Sequence, residues 1–236
     1  MNFYKLIKRG YEDVLNIFYP RLCFTCQNLL LDSEDIICHN CLSQLAFTHF
    51  DFKSGNPVHQ RLSTIVPVEK ATSLFLFDKA GVVQEMIHQL KYEGKQEIGK
   101  LIAEIIGNFF DDKSLFSGFD YIIPVPLHPE KQKKRGYNQL TVFGENLGNY
   151  FGIKYSEQIL IRTKNTPSQT KLSAGQRREN VAGAFDIHKP DEYRQKHFLL
   201  IDDVMTTGAT LEACAETILQ NIPNAKVSVL TIAVVL

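Results

Sequence analysis

The sequence predicts an α/β protein, a mostly parallel sheet with flanking helices, preceded by a small module of different construction. Two observations predict it. From about residue 67, short apolar runs alternate with segments whose apolar residues recur every three or four positions, the pattern of strands joined by crossover helices. Ahead of that region, four of the five cysteines fall within nineteen residues, from Cys23 to Cys41.

A chain of 236 residues with 44% hydrophobic residues suits one globular domain, alone or with a small appendage. Folding at this length hides roughly 70% of the unfolded surface, enough for a real core. The 26 Lys+Arg against 26 Asp+Glu exclude a histone-like binder, though not a local basic patch. No apolar run approaches the roughly 18 residues of a membrane span, so no membrane insertion is expected. The opening MNFYKLIKRGYEDVL mixes both charges and lacks the apolar stretch of a secretory signal. A cytoplasmic location is therefore expected, with the cysteines as metal ligands or core residues rather than disulfides.

Each element can be justified in order. Phe3, Leu6, Ile7, Tyr11, Val14, Leu15 and Phe18 recur at helical spacing; such a helix could serve a membrane or a partner, but packing on its own protein is the simpler reading. Cys23, Cys26, Cys38 and Cys41 form C-x2-C, eleven residues, C-x2-C. Two such turns can aim four soft thiolates at one point, the donor set of a structural zinc ribbon; two redox pairs are the competing reading. His39 could stand in for a ligand, but four thiolates already complete the shell. Residues 51–66 contain Gly-Asn-Pro and read as a linker. The expected organisation is thus a helix and ribbon over 1–50, a linker over 51–66, and the α/β domain over 67–236.

Within that domain, strands are expected at 71–77, 121–127, 158–163, 181–187, 197–204 and 226–236. Helix faces are expected around Val82–Leu90, Leu101–Phe110, Leu140–Phe151 and Leu211–Leu219; Cys214 lies on the last stripe and reads as core. Ligands of such a sheet belong at the carboxyl ends of its strands. One of those ends carries FLLIDDVMTTGAT, Phe198 to Thr210. Thr206, Thr207, Gly208, Ala209 and Thr210 make a tight turn opening a helix, where backbone N–H groups and hydroxyls can cradle one phosphate. Asp202 and Asp203 would repel a phosphate but can accept from two adjacent hydroxyls. Donors for an anion beside acceptors for a diol describe a ribose 5-phosphate. An ordinary strand–turn–helix with a threonine cap is the plainer alternative.

This segment resembles the PRPP-binding motif of class I phosphoribosyltransferases: four hydrophobic residues, two acids, then a small-residue, Thr-rich loop. The whole chain is similar to the ComF competence-protein family of the ComFC type. That resemblance is carried by the four-cysteine ribbon, LKYEG (90–94), IPVPLHPEKQKKRGYNQ (123–139) and RTKNTPSQTKLSAGQRRENVAGAF (162–185), in the family's order. It implies a class I phosphoribosyltransferase-like core with a hood from the N-terminal part. It also implies that Asp202 and Asp203 act on the ribose, and that Pro126, Leu127, Arg135 and Asn138 hold the pyrophosphate of PRPP. The flexible catalytic loop would offer Arg162, Thr166 and Gln169. Mg2+ would accompany PRPP, beside structural Zn2+. Residues 120–180 carry ten Lys+Arg against five Asp+Glu, an excess that suits a polyanion.

Two functions follow from the resemblance. One is transfer of phosphoribosyl from PRPP to a nitrogen acceptor with release of pyrophosphate. The other is a competence module linked to DNA uptake, which senses PRPP without catalysis or binds single-stranded DNA and works with the uptake machinery. Tyr92, Tyr137, Tyr150 and Tyr155 are available for base stacking in the second, whereas neutral net charge argues against strong non-specific binding.

Overall fold

The structure, a computed structural model, describes residues 18–110, 113–164 and 183–236. The expected N-terminal helix therefore lies outside the described residues except for its last position, Phe18. The chain divides into two compact units, Met1–Leu45 and Ala46–Leu236.

The larger unit is built on a five-stranded sheet in which every neighbouring pair is parallel. Its strands are β1 (Ala71–Leu76), β2 (Tyr121–Pro124), β3 (Lys154–Tyr155), β6 (His197–Met205) and β7 (Lys226–Val234), in the order β1-β7-β6-β2-β3. The central strands are nearly continuous apolar runs because both faces are covered: every residue of β7 after Lys226 is buried. Between the strands run α3 (Val82–Tyr92), α4 (Glu97–Phe109), α6 (Thr141–Phe151) and α7 (Ala209–Asn221). The last buries Leu211, Cys214, Ala215 and Ile218, the stripe read from the sequence.

The strand order fixes where a ligand can sit. From β6 the chain crosses to β7 on one side, and from β2 it crosses to β3 on the other. The connections leaving β2 and β6 therefore part, opening a crevice at their carboxyl ends, the usual ligand position of an open parallel sheet.

Three segments differ from the sequence expectations. The strands expected at 158–163 and 181–187 do not join the main sheet. They appear as β4 (Leu160–Arg162) and β5 (Phe185–Ile187), an antiparallel pair with Leu160 opposite Ile187. Short apolar runs carry no signal of which strand they will pair with. Residues 57–63, read as part of a linker, form α2 (Pro57–Ser63) with Val58 and Leu62 fully buried. Gly-Asn-Pro there is a helix start: the Asn56 side chain accepts from the Val58 and His59 N–H groups at 2.9 and 3.0 Å, and Pro57 takes the first turn. Within the IPVPLHPEKQKKRGYNQ block the chain forms α5 (Pro129–Arg135), capped by His128 and ended by Gly136 at φ +86°.

Helices α4 and α6 pack closely. A methyl group at Gly99 would lie 2.9 Å from the Phe143 backbone nitrogen. Gly99→Val should push the helices apart and cost about 1–3 kcal/mol, read as a lower urea midpoint. An unchanged midpoint would mean that the contact yields freely.

The smaller unit holds α1 (His39–Ser43) and a tight turn closed by the antiparallel bridge Leu22–Leu29. No helix among the described residues is long and apolar enough to cross a membrane.

Candidate functional site

Strand β6 ends in the turn Thr206–Gly208, and α7 begins at Ala209. Gly208 stands at φ +86°, a left-handed conformation open to glycine at little cost, and supplies no side-chain cap to α7. The first N–H groups of a helix lack intrahelical partners and mark its positive end. A small cavity of about 50 Å³ opens there, lined by Thr206, Thr207, Gly208, Ala209 and Thr210 together with Asp202. Thr206 is exposed, and Thr207 and Thr210 are half-buried. The five turn residues and the first acid of the pair are thus brought together.

The turn is held from α2. Arg61 Nη1 donates to the Thr206 carbonyl at 2.9 Å and to the Val235 carbonyl at 2.7 Å, tying the ends of β6 and β7. Nothing in the sequence singles Arg61 out, because its partners are backbone atoms far along the chain. Arg61→Ala should weaken binding of inorganic phosphate by about threefold to tenfold in calorimetry, the loss of one modest charge-assisted contact. Unchanged affinity would show that the turn keeps its shape unaided.

The two acids differ. Asp202 is half-buried, and burial, then the neighbouring Asp203 charge, push its carboxyl up to about 8, against the pull of Lys91 and Arg162. Asp203 is only 5% exposed. Its oxygens meet Lys91 Nζ at 2.7 Å and Gln139 Nε2 at 2.7 Å. Burial opposes the Lys91 ammonium, but Asp203 outweighs it and holds the lysine pKa above its usual value. Lys91 and Gln139 carry no site role in the sequence reading. Lys91 sits in the LKYEG block, whose spacing alone gives no partner.

A second cavity, about 120 Å³, lies past the end of β2. Pro126, Leu127, Asn138 and Arg162 line it, with Gln132 and Glu157. Asn138 is buried and bridges backbone: its amide donates to the Val125 carbonyl at 3.4 Å and its oxygen accepts from the Leu140 N–H at 3.1 Å. Glu157 accepts from the Tyr155 hydroxyl at 2.6 Å and from the Thr141 hydroxyl. Arg162 lies over the Phe185 ring, and burial lowers its pKa while Cys214 and Asp202 support its charge. Lys131 is lowered too, by burial and then by the charges of Arg162 and Arg135. Of these cations, Arg162 lines the cavity itself. Arg135 itself donates to Gln139 Oε1 and stands 5.4 Å above the Tyr92 ring. Thr166 and Gln169, assigned to the flexible loop, lie outside the described residues, between β4 and β5.

In the smaller unit, the sulfurs of Cys23, Cys26, Cys38 and Cys41 lie within 4.8 Å of one another and could hold a metal ion. All five cysteines of the chain are free of disulfides. The Cys38 and Cys41 N–H groups point at the Cys23 and Cys38 sulfurs, each at 3.4 Å. Burial raises the Cys23 thiol, but backbone N–H groups of Cys26, Cys38 and Thr25 outweigh it and bring it down to about 6. Burial and the adjoining thiols push Cys41 the other way. Four soft donors, three of them buried, with N–H groups aimed at sulfur fit a zinc ribbon. Glu34 braces the intervening segment by accepting from the Leu31 and His39 N–H groups, both at 2.7 Å. These two bonds hold its carboxyl below the usual range. The sequence reading missed Glu34 and assigned no role to His39, whose Nδ1 stands 3.4 Å from that carboxylate.

Comparison with known proteins agrees with the fold. The phosphoribosyl transferase domain family matches residues 142–236, which include β6, the turn and α7. The DNA utilization protein YhgH of Salmonella typhimurium is 30% identical over 222 residues, covering 86% of this chain and 92% of that protein. Competence protein F of Haemophilus influenzae is 26% identical over 212 residues, covering 84% and 90%. Competence protein ComFC of Bacillus subtilis is 26% identical over 220 residues, covering 90% and 83%.

Proposed function

The chain belongs to the family of competence protein F, ComFC and DNA utilization protein YhgH, and from that premise we propose that it binds PRPP where β2 and β6 end and transfers its phosphoribosyl group to a nitrogen acceptor. The observation that carries this reading is the juxtaposition at those two strand ends. One offers the Thr206–Thr210 turn at a helix N-terminus beside Asp202; the other offers a cavity lined by Pro126, Leu127, Asn138 and Arg162, whose charge is felt at Lys131.

The 5-phosphate would take the turn, where N–H groups and threonine hydroxyls donate. The ribose would face Asp202, whose carboxyl accepts from a hydroxyl and, in its ionised form, stabilises positive charge developing at the anomeric carbon. The pyrophosphate would lie toward Pro126, Leu127, Asn138 and Arg162, with Lys131 and Arg135 as further cations of the same block. Attack by a nitrogen lone pair forms the new C–N bond. The bond from the anomeric carbon to the pyrophosphate oxygen breaks, and pyrophosphate leaves with that electron pair. Mg2+ bound to PRPP would screen the charge of the leaving group. Zinc in the four-cysteine centre would be structural. A cytoplasmic location, where thiols stay reduced and able to bind zinc, goes with this reading.

The relatives' names favour a second reading, a competence module that senses PRPP without turnover or handles single-stranded DNA with the uptake machinery. Labelled PRPP incubated with a panel of nucleobases and amines, scored for pyrophosphate release, separates the two. Release that depends on an acceptor supports transfer. Binding without release supports sensing, and no PRPP binding ends transfer and sensing alike and leaves the DNA-handling role.

A further inference from the structure

We propose that the adjacent acids at the end of β6 have separate roles: Asp202 alone meets the ligand, while Asp203 is a strut and Lys91 a positioning residue that acts through it. This deepens the PRPP reading and rests on it. Consecutive residues of a strand face opposite sides. Asp202 lines the cavity of the phosphate turn, and Asp203 points away from it into the protein. A diol approaching Asp203 would have to displace Lys91 from one oxygen or Gln139 from the other, each held at 2.7 Å.

The contacts continue into a closed ring. Gln139 Oε1 accepts from Arg135, and Arg135 covers Tyr92, the residue after Lys91. Between the same two segments, the Tyr137 hydroxyl donates to the Leu90 carbonyl at 2.9 Å and accepts from the Gly94 N–H at 3.1 Å. Asp203 thus ties the end of α3 and the residues just before α6 to the last residues of β6. Lys91 also offsets a charge that would otherwise stand unrelieved beside Asp202. The groups that act on Asp202 are Asp203, Lys91 and Arg162, with Cys214 behind it. With Lys91 gone, Asp202 would hold its proton to higher pH and would be a poorer acceptor for the ribose near neutrality.

The test titrates Mg2+·PRPP into the full chain by calorimetry over roughly pH 6 to 9, with thermal melts of the same variants. Lys91→Met should weaken binding by about tenfold near pH 7, the loss shrinking toward pH 9, and Lys91→Arg should restore it. Asp202→Asn should cost affinity at every pH without lowering Tm. Lys91→Met and Asp203→Asn should each lower Tm by roughly 5 °C or more, and the double variant by clearly less than the sum. If Lys91→Met does not fold, Gln139→Leu cuts the same ring without stranding a charge and is read in the same two ways. Equal loss of PRPP affinity in Asp202→Asn and Asp203→Asn, with no fall in Tm for the latter, would overturn the proposal. So would additive melting shifts. If the wild type binds no PRPP, the proposed function falls, and the melting cycle still decides whether Asp203 is a strut.

Discussion

Cys41→Ala should empty the metal centre and unfold the N-terminal unit, while residues 46–236 keep their own unfolding transition. The buried apolar side chains described in that unit, apart from the cysteines, are Phe24, Ile37 and Leu45, too few to offset the conformational entropy of so many ordered residues. Binding of zinc to four thiolates is worth about 10–16 kcal/mol in small zinc modules at neutral pH, and in such modules it is largely folding energy. Loss of one ligand from a tetrahedral shell should therefore act as loss of fold. Protein purified without chelator should contain about one zinc per chain by elemental analysis, and Cys41→Ala much less. Hydrogen exchange would show protection at Cys23 and Leu42 lost in the variant. Both N–H groups now make backbone bonds, to the Asn28 and Cys38 carbonyls at 2.8 and 2.9 Å. Wild-type protein without zinc, or protection unchanged in Cys41→Ala, would sink the assignment.

How much of this was legible in the sequence depended on how local each feature is. The cysteine spacing, the FLLIDDVMTTGAT segment and the apolar stripe of α7 are local; the structure gathers the four sulfurs and sets the turn beside Asp202, while Asp203 turns inward. The pairing of β4 with β5 was not legible, since three-residue strands carry no record of their partners. The helix at 57–63 was masked by a Gly-Asn-Pro that serves equally as a linker break and as a helix cap. The second half of the site was hidden for a different reason. Lys91 reaches Asp203 across 112 positions of sequence, and Arg61 reaches Thr206 across 145, so neither pair has a spacing to read. Glu34 escaped because its partners are backbone N–H groups. A charge between two C-x2-C turns looks like any exposed acid until the fold curls around it.

Changing the turn and changing the acid should have opposite effects on a simple anion, and that contrast is the sharpest check on the site. Thr207→Val with Thr210→Val removes two hydroxyl donors at the mouth of the cavity. Donors to a charged group contribute about 1.5–3 kcal/mol each, so inorganic phosphate should bind the double variant at least tenfold more weakly. Asp202→Asn should leave phosphate binding intact or tighten it, because a carboxylate beside the cradle repels the anion. The same change should weaken PRPP binding, since the ribose loses its charged acceptor. It should also stabilise the protein in alkaline solution, and the sign can be worked out. The Asp202 carboxyl titrates at about 8 in the folded chain against 3.8 as its ordinary value, so the folded state binds the proton more tightly. Its contribution to stability is fully present below about pH 4 and is lost as pH rises through 8. Asparagine has no proton to lose. Asp202→Asn should therefore melt higher than wild type at about pH 9, by roughly 2–8 °C, with the gap narrowing toward pH 5. A group that destabilises its own fold at working pH and yet occupies the ligand cavity is what a binding site built around a carboxylate should look like. A variant that melts lower at pH 9 and binds PRPP as tightly as wild type would place Asp202 in the scaffold and leave the ribose without its partner.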